Sequence, residues 1–186
     1  MKKNYLFTKV ALAALFVLSA VAFSSCKADP VEEYIPSVTD LVKLSDYDLL
    51  IGNWTSGYGE SFSIETQSFS SDIYAINNTY VYKASKTSGF IYGKYTEIYD
   101  WESGTEEKPD NTDGWLDYWG TWYPTNYDLL GKWYAIYYDK LSATSVELSG
   151  AYKFDGKKAC DTLEEALEEF TIGNGYFAGN SSCTKN

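Results

Sequence analysis

The feature that most restricts the fold of this chain is a series of short segments of period two, punctuated by glycine turns. Phe62 and Ile64 alternate with Ser61, Ser63 and Glu65, and Tyr80 and Tyr82 alternate with Val81 and Lys83. Phe90 to Tyr99 and Trp133 to Tyr138 are longer aromatic and β-branched runs. Val146, Leu148, Gly150 and Tyr152 alternate most clearly, against Glu147, Ser149, Ala151 and Lys153. Successive side chains of a strand point to opposite faces, so each such run has one face for a core and one for solvent. Ser88-Gly89, Asp155-Gly156 and Asn174-Gly175 lie between runs as turn signals. Asn-Gly suits a type I′ turn, whose two central residues both need positive φ, which predicts that Phe170–Ile172 pairs with Tyr176–Ala178 as a hairpin. Strands recurring this way predict an all-β, mainly antiparallel domain, either sandwich or barrel.

A single helix breaks the pattern. Leu163, Ala166, Leu167 and Phe170 fall at i, i+3, i+4 and i+7, with Glu164, Glu165, Glu168 and Glu169 on the opposite face. Asp161 or Thr162 is placed to cap its first turn, and Thr162-x-x-Glu165 matches a capping box. Glu168 and Glu169 oppose the dipole at the C-terminal end, so packing of the apolar stripe has to hold the helix.

The N-terminus has a different character. Met1-Lys2-Lys3 and Lys9 precede an apolar run from Val10 to Phe23, which leads to Ser24-Ser25-Cys26. A basic end, a short apolar core and small residues before a cysteine form the pattern of a cleaved bacterial lipoprotein signal, too short for a stable membrane span. Cleavage before Cys26 would leave that cysteine to carry lipid. Ala20-Val21-Ala22 is a competing site for ordinary signal peptidase, with release of a soluble chain. Three cysteines stand at 26, 160 and 183. Lipid on Cys26 leaves an even pair for an oxidising compartment, which favours the lipoprotein and predicts a Cys160–Cys183 disulfide; two free buried thiols are the alternative. Lys27 follows Cys26, without the Asp that commonly retains lipoproteins at the inner membrane, which favours the outer membrane of the cell envelope. The expected organisation is a signal over 1–25, a tether over 26–46 and a β-barrel domain over 47–186.

Composition prunes the chemistry. The signal holds three of the 15 lysines and none of the 26 acids, leaving 12 lysines against 26 acids in the mature chain. Such an excess of negative charge disfavours nucleic acid, whose binding needs clustered cations. No histidine and no arginine occur anywhere. Ser-His-Asp and Cys-His catalysis, imidazole metal sites and bidentate arginine clamps are thereby excluded. A carboxylate pair of the glycosidase kind or an all-oxygen calcium site survives this filter. Glu60, Asp100, Glu102 and Asp117 are the eligible carboxylates. Asp110, Asn111 and Asp113 lack the spacing of an EF-hand loop. Neither a cofactor nor a metal is expected, nor an enzyme.

Residues Asp100 to Tyr123 interrupt the strand rhythm and contain four of the six tryptophans. Trp101, Trp115, Tyr118, Trp119, Trp122 and Tyr123 are the candidate contact residues. Three uses compete: rings capping the end of a barrel as core, a hot spot for a protein partner, or a stacking surface for glycans beside carboxylates.

Gly52-Asn53-Trp54 after the tether, and Gly131-Lys132-Trp133-Tyr134 later, resemble the Gly-x-Trp strand start of lipocalins and other calycins. Ser149-Gly150-Ala151-Tyr152, and Thr162 to Ala166 ahead of Phe170-Thr171-Ile172, extend the similarity over about residues 48–183 to small lipocalin-like bacterial lipoproteins, particularly those of spirochaetes. The resemblance implies an up-and-down calycin-like β-barrel with a pocket and one amphipathic helix near the C-terminus. The chain lacks the late Arg and the Thr-Asp-Tyr signature of true lipocalins, so no lipocalin ligand carries over. Tyr47-Asp48-Leu49-Leu50 and Tyr127-Asp128-Leu129-Leu130 precede the two Gly-x-Trp motifs as a weak echo, read as convergent strand starts. The expected function is a membrane-anchored, non-catalytic binding module for a small apolar or amphipathic ligand. The alternative is an interaction protein that meets a host or envelope protein, or a glycan, through 101–123.

Overall fold

A computed structural model describes residues 33–110 and 112–186. The signal, Cys26, the first part of the tether and Asn111 lie outside these residues. Among the described residues eleven strands are present: β1 (Val42–Lys43), β2 (Gly52–Ser56), β3 (Ser61–Ile64), β4 (Ser68–Ser71), β5 (Tyr74–Lys83), β6 (Gly89–Ile98), β7 (Gly114–Leu116), β8 (Trp122–Pro124), β9 (Trp133–Asp139), β10 (Ser145–Gly150) and β11 (Ser181–Lys185). The helix α1 spans Leu163–Glu169.

Eight of these strands close an antiparallel barrel in the order β2-β3-β4-β5-β6-β9-β10-β11, with β11 returning to β2 through Cys183↔Ser56 and Lys185↔Trp54. Closure leaves the barrel strands no long free edge. The all-β barrel with one helix is therefore the fold. The period-two pattern becomes legible as rows across the sheet. Val81, Ile91 and Ile136 stand opposite one another facing inward, while Tyr82, Phe90 and Tyr137 form the next row and face outward. That outer row is not left to solvent, because Phe177 packs on Phe90 at 5.4 Å and Tyr34 on Tyr82 at 6.0 Å. β5 is bent by register shifts at Ala75/Ile76 and Asn77/Tyr80, with Asn78 at positive φ. One half then pairs with β4 and the other with β1, as expected of a bulged strand.

The lower end of the barrel, where β6 begins and β9 ends, is filled. Leu44, Leu50 and Trp54 are fully buried there, and the Trp54 indole donates to the Leu50 carbonyl at 2.9 Å. Residues 33–46 belong to the same compact unit as the barrel, Glu33–Asn186. Residues 42–43 pair with β5 and Leu44 reaches the core, so burial of a leucine and a strand pairing hold this segment on the barrel. The two Tyr-Asp-Leu-Leu segments form turns, with the last Leu N–H donating to the Tyr carbonyl in each, at 3.3 Å.

α1 forms as its periodicity predicts, with Leu163, Ala166 and Leu167 buried and Phe170 closing the stripe. The Thr162 hydroxyl accepts from Glu165 N at 3.1 Å, and the Glu165 carboxylate accepts from Asp161 N, one residue before the capping-box position. The hairpin expected around Asn174-Gly175 does not form. The Asn174 side-chain amide donates instead to the Glu168 and Glu169 carbonyls at 3.0 and 2.8 Å, and Gly175 takes positive φ at the exit. Carbonyls left open at a helix C-terminus recruit this donor, so the Asn-Gly pair serves the helix end.

The expected disulfide is also corrected: Cys160 and Cys183 are free and buried. Cys160 exchanges backbone hydrogen bonds with Trp133, at the start of β9. Cys183 stands opposite Val146, whose neighbour Glu147 faces Asp139 at the far end of β9. At about 3.3 Å per residue along that strand the two lie on the order of 20 Å apart, beyond the roughly 4–7 Å between Cα atoms that a disulfide spans. Burial pushes each thiol up to about 11, which makes both poor nucleophiles.

Candidate functional site

The upper end of the barrel is where the candidate site lies. A cavity of about 910 Å³ opens at the end where β6 finishes and β9 starts. Inward positions of the strands line it, among them Phe62, Phe69, Ile98, Ile136 and Leu148. Tyr74, Tyr95 and Tyr134 add three phenols to the same wall, with ring centroids 4.7–6.1 Å apart. Burial pushes all three hydroxyls well above the ordinary phenol range. Gly150 makes room for two of them: a Cβ there would lie 2.5 Å from the Tyr134 Oη and 3.2 Å from the Tyr74 Oη.

The insertion between β6 and β9 forms the mouth. β7 and β8 make a two-stranded ribbon tied to the barrel end by Tyr99↔Thr125. Its aromatic residues divide into three groups. Trp101, Trp115 and Tyr123 pack on one another and on Tyr99 at 4.5–6.4 Å and line the cavity. Trp122 is only 7% exposed, lies outside the cavity lining, sits under Lys108 at 4.5 Å, and its indole N–H has no partner among the described residues. Tyr118 and Trp119 protrude at the tip, 94% and 86% exposed, with Trp119 still reaching the rim. The candidate residues are thus split between mouth, ribbon core and tip, and do not make one patch.

Every charged residue of the lining sits on a connecting segment at the mouth. Glu60, Asp72, Asp100, Glu102 and Asp117 face Lys153, Lys157 and Lys158 across it. The four carboxylates singled out from the sequence all come to this rim, and each is engaged. Asp100 accepts from Glu102 N and Ser103 Oγ, and Asp117 from Trp119 N and Thr121 N, so both hold turns of the insertion. Glu60 accepts from Ser181 Oγ at 2.6 Å. Glu102 pairs with Lys158 at 3.0 Å, a link from the insertion to the 151–158 segment whose exposure makes it weak. Asp113 accepts from the Tyr127 hydroxyl at 2.9 Å. Among the described residues no group of three His, Cys, Asp or Glu is placed to hold a metal ion.

Sequence reasoning missed the inner wall. Tyr95 and Tyr134 lie in runs recognised as strands, and the parity of Ile91 and Ile136 would have placed them inside. Tyr74 has no such local marker. Comparison of the chain with protein families, curated proteins and solved structures finds no match.

Proposed function

We propose that this protein is a non-catalytic binding module, held on a bacterial cell envelope by lipid on Cys26, that encloses an apolar or amphipathic small molecule in its barrel. The cavity carries this reading. Its volume of about 910 Å³ lies within the range of small-molecule sites, and its wall of aliphatic and aromatic residues with a few polar groups is their usual lining. Glu60, Asp100, Glu102 and Asp117 at the rim are occupied in holding turns and loops, which favours a structural task for them over acid–base chemistry. Anchor and barrel together are the combination suggested by the lipocalin-like lipoproteins of spirochaetes.

Trp101 and Trp115 at the mouth make binding observable. Titration with long-chain alcohols, fatty acids and sterols should change tryptophan emission saturably, with a one-to-one adduct in native mass spectrometry. Absence of saturable binding across that panel would end the binding-module reading. A second reading rests on the exposed tip: Tyr118 and Trp119 have the side chains that dominate protein hot spots and stack on sugars. The Tyr118→Ser/Trp119→Ser double variant should keep cavity binding, because the inner wall is untouched; loss of it would transfer the site to the tip.

The anchor rests on the N-terminal pattern alone, since free Cys160 and Cys183 remove the parity argument. Cys26→Ser should move the expressed protein from the detergent phase to the aqueous phase with an unchanged melting curve. A wild-type chain already in the aqueous phase would overturn lipidation. Lys27 at the position after Cys26 supports the outer membrane as its destination.

A further inference from the structure

The distribution of charge around the cavity bears on what can enter it, and it extends the binding-module reading, on which it rests. All strand residues that line the interior are uncharged, and all eight charged lining residues stand on loops at the mouth. An ionised head group carried inward would leave water with no opposite charge to meet it, a cost of many kcal/mol. The interior does offer hydroxyls. The hydroxyls of Tyr74 and Tyr134 converge on the space that Gly150 leaves open, and the Tyr95 ring lies 4.7 Å from that of Tyr134. Each phenol carries one O–H that can be donated into that space. A buried donor of this kind is costly unless an acceptor reaches it.

We propose that the cavity selects neutral amphiphiles, such as long-chain alcohols, ketones or sterol-like molecules, and takes them oxygen-first, with the oxygen accepting a hydrogen bond from the Tyr74–Tyr95–Tyr134 cluster. Head-group discrimination then belongs to the barrel interior, and the charged rim plays no part in it. Raised well above the usual range by burial, the phenols stay protonated, so affinity is flat between about pH 6 and pH 9.

Three probes sharing a ten-carbon tail test this: decanol, decanoate and decylammonium, titrated into the wild-type protein by calorimetry and tryptophan emission. Decanol should bind at least about tenfold tighter than either ion, since only the ions lose hydration without a partner. Tyr134→Phe should weaken decanol about fivefold and leave the melting temperature within a few degrees, as loss of one hydrogen bond requires. Gly150→Ala, which displaces the Tyr134 hydroxyl while keeping it, should weaken decanol as well. Either ion binding as tightly as decanol would place the head group at the rim and overturn the proposal. So would decanol affinity unchanged by both substitutions. Silence from all three probes is a different failure, that of the binding-module reading itself.

Discussion

Replacing Trp54 with alanine is expected to destabilise the protein by about 3–5 kcal/mol, the range for deleting a large buried aromatic side chain. Trp54 has no exposed surface, and its indole N–H satisfies the Leu50 carbonyl in the plug of the lower barrel. The substitution removes the ring, opens a void and strands a buried acceptor. For a domain of this size the melting temperature should fall by on the order of 10 °C. Trp54→Phe separates the contributions: most of the ring volume stays, the hydrogen bond goes, and the loss should be about 1–3 kcal/mol. Because Trp54 lies outside the cavity lining, ligand affinity of the folded protein should not change in either variant. A Trp54→Ala protein that melts like wild type would show that the plug is not packed as described.

Phe170→Ala should cost a similar amount, about 3–5 kcal/mol, but with a functional consequence that Trp54→Ala lacks. Phe170 is fully buried at the end of α1, edge-on to Tyr176 at 5.1 Å and to Tyr134 at 6.0 Å. It transmits the docking of the helix to a tyrosine of the cavity wall. Removing it should lower the melting temperature and also loosen Tyr134, so that ligand affinity falls in protein that is still folded. Chemical denaturation measures the first effect, and titration well below the transition measures the second. Unchanged affinity alongside the lost stability would mean that α1 supports the barrel without shaping its cavity.

The contrast between the two substitutions reflects how the barrel is divided. Its lower half is a closed core, completed by Leu44 and Leu50 from the segment ahead of β2. Its upper end opens into the cavity, and two long connections, the β7–β8 insertion and the α1 segment, lie around the rim. Long connections on a rigid barrel are where function is most readily placed. Here the rim aromatic residues Trp101, Trp115 and Tyr123 continue the apolar wall outward, while Tyr118 and Trp119 leave it.

Local periodicity in the sequence was enough for β3, β6, β9, β10 and the second half of β5, and for the helix and its Thr162 cap, because backbone conformation and the burial of one face are written into residues that are neighbours along the chain. Composition was enough to exclude histidine-dependent catalysis and arginine clamps. The alternation of Val146, Leu148, Gly150 and Tyr152 marked the inward side of β10 as far as Gly150, where the strand ends and Tyr152 is left exposed. Four outcomes needed the tertiary structure. Asn174-Gly175 has the local chemistry of a hairpin turn, yet the carbonyls of Glu168 and Glu169 took the asparagine amide for the helix end. Cys160 and Cys183 satisfy every requirement of a pair except position, and strand register sets them at opposite ends of β9. The six candidate aromatic residues of the insertion share a composition but not an environment, because ribbon formation buries Trp122 and exposes Trp119. Tyr74, Tyr95 and Tyr134 come from three strands and meet only after β5, β6 and β9 are in register. A cavity is a shortfall of side-chain volume summed around a closed ring of eight strands, and no single stretch of the chain contains that sum.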